Sequence, residues 1–388
     1  MQISQALTRI AASRTTAMTD RAAQLRAEGR DIISLSVGEP DFAMPPHVAD
    51  AVRAALDAGD TKYTQVSGTA RLRAAAALHF QRDLGLDVPA ERVIVSAGGK
   101  QAIFHALLAT LDPGHEVLIP APWWVSYPEI VRFAGATVVP LPTAAASGFR
   151  ITADQLEAAI TPATRWLLLN SPGNPTGAVY PAEELAALGA VLARHPQVLV
   201  LSDDIYAPLR YGPGDHATLA AVCPELAERV LTVSGVSKSH AMTGLRIGVA
   251  TGPAWLVEAM GRLQSHSSGN PASLSQAAAV AAFEGPQGFL ADWRERFRAR
   301  RGSCVAAINA VPGLTTPVPD GAFYCMVDAG ALKARFGDDE VLCMYLLEHG
   351  VAVVAASAFG GDFGFRISFA TDEARLAEAL NRIAKALA

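Results

Sequence analysis

The chain has 388 residues, 51% of them apolar and 18% charged, which excludes a disordered or fibrous protein and leaves room for a large core plus a smaller domain. Its 32 basic and 37 acidic residues give a net charge of −5, so nucleic-acid binding has no support, and no basic block overrides that balance. No apolar run approaches the length of a membrane span; residues 277–283 are among the longest and are rich in alanine.

The N-terminus carries Arg9, Arg14 and Arg21 among few acids, but it lacks an apolar signal core. An ordinary polar segment of a cytoplasmic protein is expected. From about residue 92 to 250, short apolar runs at 93–96, 116–119, 137–139, 166–169, 198–201, 230–233 and 247–250 alternate with helical patterns such as 101–111 and 182–194. Near-continuous apolar strands belong to a sheet covered on both faces. The alternation predicts the α/β class, with a mostly parallel seven-stranded sheet. The last two runs are joined too briefly for a crossover helix, so one of them is expected to run antiparallel.

After Pro253 the pattern turns helical and ends in an arginine-rich helix around 288–309. Beyond about residue 312 it changes to short strands (322–327, 351–354 and 365–369) among helices, an α+β unit. Residues 45–290 are therefore expected to form a large domain, and 1–44 with 291–388 a smaller one built from both termini. Cys223, Cys304, Cys325 and Cys343 are scattered, with no C-x-x-C pair and no histidine at metal-ligand spacing. Reduced thiols and no metal site are expected.

Four segments carry chemistry. Ser96-Ala97-Gly98-Gly99-Lys100-Gln101 links a strand to a helix, as an anion site at a helix N-terminus does. Asn170-Ser171-Pro172-Gly173-Asn174-Pro175-Thr176-Gly177 follows a strand; alone it is equally a simple turn. Ser202-Asp203-Asp204-Ile205-Tyr206 follows another strand, at the end where open α/β sheets hold ligands. Lys238 lies in a hydroxyl-rich stretch with Arg246 eight positions on, an amine placed close to a bound phosphate. That arrangement suits pyridoxal 5′-phosphate (PLP): a lysine for its aldehyde, a guanidinium for its phosphate, and a carboxylate for its ring nitrogen.

Together these segments resemble the class I aminotransferases of PLP fold type I, and within them the bacterial branch of aspartate and aspartate/prephenate aminotransferases. The likeness runs nearly the whole chain. It includes Ser36-Val37-Gly38-Glu39-Pro40-Asp41-Phe42, Lys62-Tyr63-Thr64, Pro122-Trp123-Trp124-Val125-Ser126-Tyr127-Pro128, Ala241-Met242-Thr243-Gly244, Gly321-Ala322-Phe323-Tyr324 and Phe365-Arg366-Ile367-Ser368. The resemblance implies a ping-pong transfer of an amino group from an amino acid to a 2-oxo acid, in a homodimer with shared active sites. Lys238 would bond the cofactor and shuttle the proton, Asp203 would pair with the ring nitrogen, and Tyr206 and Asn174 would donate to the phenolate oxygen. Trp124 would stack on the ring. Gly99, Lys100, Ser237 and Arg246 would surround the phosphate, and Tyr63 would reach a phosphate across the dimer interface. Arg366 would fork onto the substrate α-carboxylate, with Gly38 giving the backbone room beside it. The motif further implies cis bonds before Pro122 and Pro175.

For a dicarboxylic substrate, Lys100 with Ser13 and Thr15 would hold the second carboxylate, pointing to aspartate or glutamate. Prephenate or an aromatic 2-oxo acid fits the same scaffold, as does lyase chemistry; a PLP-binding regulator lacks a basic DNA-binding segment here. Two positions depart from the family pattern: Gly235 stands where many relatives have a phosphate-binding serine, and Ala355-Ala356 replaces a Pro-Gly turn.

Overall fold

The computed structural model describes residues 3–388. Seven strands form the main sheet: β1 Val93–Ser96, β2 Glu116–Ala121, β3 Thr137–Pro142, β4 Thr164–Asn170, β5 Leu199–Asp203, β6 Val230–Gly235 and β7 Gly248–Thr251. Their spatial order is β1-β7-β6-β5-β4-β2-β3. Strand β7 runs antiparallel to both β1 and β6; the remaining neighbours are parallel. The antiparallel strand is the last one because only a short loop and a 3₁₀ turn separate it from β6.

Alternate residues of one strand enter different cores. Leu168 and Leu201 pack on one face with Ile103, Ile119 and Val131, whereas Leu167, Leu169 and Val200 pack on the other with Leu188 and Leu192. Both faces are thus apolar, which is why the strands read as continuous runs. The helix expected at 101–111 spans Gly99–Leu108. Gly98, at φ 85°, starts it early, and the backbone bias imposed by Pro113 lies just beyond its end.

A second sheet joins β8 Tyr324–Asp328, β9 Val354–Ala355 and β10 Gly364–Ser368 in the order β9-β10-β8, all antiparallel. The run expected as one strand over 351–354 is split. Val351–Ala352 pairs in parallel with Ile33–Ser34, and Val354–Ala355 pairs with β10. The chain changes partners at Val353, so neither ladder can span the whole run. The long helix Phe289–Asn309 packs Phe297, Cys304 and Ile308 into a core with Phe323, Phe365, Ile367 and Ile383. Its buried Arg300 forks onto Asp41 at 2.7 and 2.9 Å, tying the Gly-Glu-Pro-Asp-Phe loop to this helix.

Register places the site. Asn170 lies opposite Asp203, and Asp203 opposite Val233, so the C-terminal ends of β4, β5 and β6 meet at one edge of the sheet. The peptide bonds before Pro122, Pro172 and Pro175 are cis.

Candidate active site

A cavity of about 500 Å³ opens at that edge. Every expected site residue except Ser13 and Tyr63 lines it. Lys238 follows β6, and its Nζ donates to the Gly38 carbonyl at 2.6 Å. Burial lowers its pKa from the usual lysine range to about 8. Arg246 and Arg366 push the same way, against Glu39 and Asp203. An amine with this pKa is available as a base near neutral pH.

Asp203 ends β5 and is buried. Its Oδ2 accepts from the Tyr127 hydroxyl at 2.6 Å and its Oδ1 from the Ile205 amide at 3.3 Å. Burial raises the carboxyl to about 6, while those two donors pull it back toward the ionised form. Tyr206 lies within reach of Lys238, whose Nζ is 5.9 Å from the ring centroid. Burial pushes the Tyr206 phenol well above its ordinary range, so it stays a proton donor.

Arg366 is the buried cation of the cavity. It donates to Asn174 Oδ1 at 3.0 Å and to the Ser36 carbonyl at 2.5 Å, and its Nε has no partner among the described residues. The guanidinium lies 4.6 Å from the Tyr324 ring and 4.9 Å from Phe359. Its hydrogen-bond partners are neutral oxygens, an incomplete arrangement for a charge out of water. An anionic ligand completes it. Because Asn174 presents its oxygen to Arg366, its amide hydrogens remain for a ligand. The Asn170 side chain fixes that loop by accepting from the Asn174 amide at 2.8 Å.

At the other end, Gly98 and Gly99 start a helix beneath Arg246, which donates to the Ala97 carbonyl at 3.2 Å. A Cβ on Gly98 would come within 2.7 Å of the Arg246 Cζ, and one on Gly248 within 2.5 Å of the Gly98 carbonyl carbon. The cradle therefore exists only with glycine at both places. Free helix N–H groups beside a guanidinium fit a phosphate, so the donor set at this end fits that of PLP. Lys100 Nζ stands 4.9 Å over the Trp124 ring, and burial, aided by Arg246, lowers its pKa. Among the described residues no cluster of His, Cys, Asp or Glu is arranged to hold a metal ion.

Two expected residues lie elsewhere. The Ser13 hydroxyl accepts from the Thr16 amide as N-cap of the helix Arg14–Ala27 and faces a neighbouring hollow with Arg14 and Trp123. Tyr63 is 98% exposed on this single chain. Of the serines flanking Gly235, Ser234 is turned to His79 Nε2 at 2.9 Å, whereas Ser237 lines the cavity. The Ala355-Ala356 turn is steadied by Ser357, whose amide and hydroxyl donate to Asp339 at 2.8 and 2.7 Å.

Sequence reasoning assigned no role to Tyr127, Asn170, Thr16, Thr19, Ser36 or Tyr324, all of which line the cavity. Tyr127 carried a usable signal, since it falls three residues after Trp124 at the start of a helix. Tyr324 stands in a quoted motif, but its pairing with Tyr206 carried no signal, because the two are remote in sequence.

Comparisons with known proteins give the chain a family. The family model for aminotransferase class I and II matches residues 30–383. An aspartate/prephenate aminotransferase of Cereibacter sphaeroides is 49% identical over 98% of this chain and 97% of that protein. An aspartate aminotransferase of Rhizobium meliloti is 49% identical over 94% and 91%. Among solved structures, an aspartate aminotransferase from Rhizobium meliloti superposes with a TM-score of 0.95 at 46% identity, covering 100% of this chain and 99% of that one. The aspartate aminotransferase from Thermus thermophilus with maleate gives 0.95 at 41%, with both chains fully covered. With a matching family model over most of its length and a matching fold, the chain belongs to the class I and II aminotransferases.

Proposed function

We propose that this aminotransferase moves the amino group of aspartate or glutamate to a 2-oxo acid, using PLP held in the cavity at the sheet edge. The observation that carries the reading is the buried Arg366, bonded only to neutral oxygens at one end of a cavity whose other end is a phosphate cradle. When bound, PLP supplies an aldehyde for amino groups and a ring that draws electrons from the carbon losing its proton. Lys238 Nζ would take that proton from the substrate Cα and deliver it to the carbon of the cofactor's aldehyde group, held in position so that the transfer is effectively intramolecular. Asp203 would pair with the ring nitrogen, Tyr206 and Asn174 would donate to the phenolate oxygen, and Trp124 would cover the ring. Gly99, Lys100, Ser237 and Arg246 would hold the phosphate, and Arg366 would hold the α-carboxylate.

The choice of a dicarboxylic acid is supported by Lys100 and Thr15 on the cavity wall and by the maleate, a dicarboxylate, of the Thermus relative. Ser13 joins them on this reading only by giving up its capping bond. Lys100→Ala is expected to raise the KM for aspartate about tenfold or more, and that for an uncharged amino acid far less. Steady-state kinetics with both donors decide it; equal effects refute the dicarboxylate assignment. Prephenate as acceptor is a second reading, supported by the name of the Cereibacter relative.

The active unit is a homodimer in which exposed Tyr63 reaches the phosphate of a second copy, and residues 45–290 form one body with 1–44 and 291–388 as the other. Four free, buried cysteines suit a reducing cytoplasm, and no described helix is long and apolar enough to cross a membrane.

Uptake of PLP by the apoenzyme is expected to depend on pH in two steps. Asp203 ionises above about 6, and Lys238 loses its proton above about 8. Uptake should therefore rise through both values and level off before the ordinary lysine range. The same depressed pKa sets a stability trend. Between pH 8 and 10.5 the unfolded chain holds a proton on Lys238 that the folded chain releases, so this group's contribution to stability rises with pH there. Cofactor absorbance followed across pH tests the uptake; a single rise near 10.5 would contradict a desolvated Lys238.

A further inference from the structure

We propose that Tyr324 is a positioning residue for the transfer reaction: its hydroxyl donates to Tyr206 and keeps the Tyr206 proton directed at the cofactor. The inference rests on the PLP reading above and concerns Tyr324, to which that reading gives no part.

The placement follows from sheet register. Tyr324 pairs with Ser368 across β8 and β10, and Arg366 pairs with Met326. Side chains alternate along a strand, so Tyr324, Met326 and Arg366 share a face, with Tyr324 and Arg366 as diagonal neighbours. Tyr324 is fully buried, and its Oη lies 2.7 Å from Tyr206 Oη. The two rings meet edge to face, with centroids 5.7 Å apart at 82°. Both side chains line the cavity, one from the second sheet and the other from the loop after β5.

A phenol has one proton to give and can also accept. Either hydroxyl is close enough to donate to the other, and the surroundings choose the direction. The Tyr324 hydroxyl is pressed against Gly38, where a Cβ would come within 2.6 Å of it. Among the described residues its only hydrogen-bond partner is Tyr206. The Arg366 guanidinium, 4.6 Å from the Tyr324 ring, withdraws electron density from that phenol and makes it the better donor. If Tyr324 donates, Tyr206 accepts and keeps its own proton for an oxygen in the cavity. If the direction were reversed, Tyr206 would have nothing left to donate. Two hydroxyls in series also polarise each other, which strengthens the outer donor. The pair thereby joins the carboxylate-binding cation of the second sheet to a cofactor ligand of the main sheet.

The experiment is a double-mutant cycle on Tyr324→Phe and Tyr206→Phe. Each substitution removes one oxygen and keeps the ring. Purified holoenzymes are assayed with aspartate, then stripped and titrated with PLP to obtain the cofactor Kd. Tyr324→Phe is expected to weaken PLP binding about 3- to 10-fold. It should lower kcat by a similar factor and leave the KM for aspartate within about twofold, whereas a merely structural loss would raise KM as well. In the Tyr206→Phe background the same substitution should change either quantity by less than about twofold. Full additivity of the two substitutions, or wild-type Kd and kcat for Tyr324→Phe, overturns the proposal. A wild-type chain that binds no PLP overturns instead the reading on which it rests.

Discussion

Replacing Lys238 by alanine is expected to lower kcat/KM by roughly 10⁴-fold or more, with the fold intact. The amine is the only lysine Nζ in the cavity besides Lys100, and it alone sits between Gly38 and the Tyr206 ring. Removing it takes away both the group that bonds the cofactor aldehyde and the base that moves the proton. No neighbour can replace it: Asp203 is held by Tyr127, and Tyr206 is bound to Tyr324. The substitution should not cost stability near neutral pH. Burial has lowered the lysine's pKa, so the folded state at pH 7 holds that charge at a penalty which alanine removes. Activity and thermal unfolding of the variant, measured side by side, test both halves. A variant within tenfold of wild type in kcat/KM would dismiss Lys238 as the central residue.

Arg366→Lys is expected to lower kcat/KM for aspartate by about 100-fold or more, chiefly through KM. Charge is conserved in this substitution, so any loss reports geometry. Arg366 already spends one nitrogen on Asn174 and another on the Ser36 carbonyl, and its Nε is unpartnered. A planar fork can hold those oxygens and present further N–H groups to a carboxylate. A lysine's single ammonium, with a shorter reach, cannot do both, and it would leave Asn174 Oδ1 or the Ser36 carbonyl without its donor. The change should also loosen Asn174, and with it one donor to the cofactor. Kinetics with aspartate and with an amine lacking an α-carboxylate separate the effects: only aspartate should suffer in KM. A KM within threefold of wild type would show that the carboxylate binds elsewhere.

Much of the architecture can be read without coordinates because the relevant signals are local. Uniform apolar runs identify strands buried on both faces, and the brief connection before Gly248–Thr251 marks the antiparallel strand. Glycines 98 and 99 announce a helix start, and the structure explains why the first is needed, since its positive φ and the Arg246 guanidinium beside it leave no place for a Cβ. Local signals mislead where a run divides between two partners, as at Val353. At Ser13 a local signal leaves two uses open, because the hydroxyl that the family resemblance assigns to a substrate carboxylate also suits the helix N-cap it forms here.

The composition, the succession of strands and helices along the chain and the chemical identity of Lys238, Asp203, Tyr206, Asn174 and Arg246 are legible from the chain alone, since each of these residues belongs to a short motif at the end of an element; Arg366, in the middle of β10, is marked only by the resemblance of its motif. Which atoms those residues meet is not. Tyr127 bonds Asp203, Arg366 leans on Tyr324, and Tyr324 meets Tyr206, all across contacts between segments far apart in sequence. Such pairings depend on strand register and on the packing of one sheet against the other. A motif specifies the groups available; their protonation, direction of donation and unmet valence arise only when burial strips away water and leaves them one another as partners.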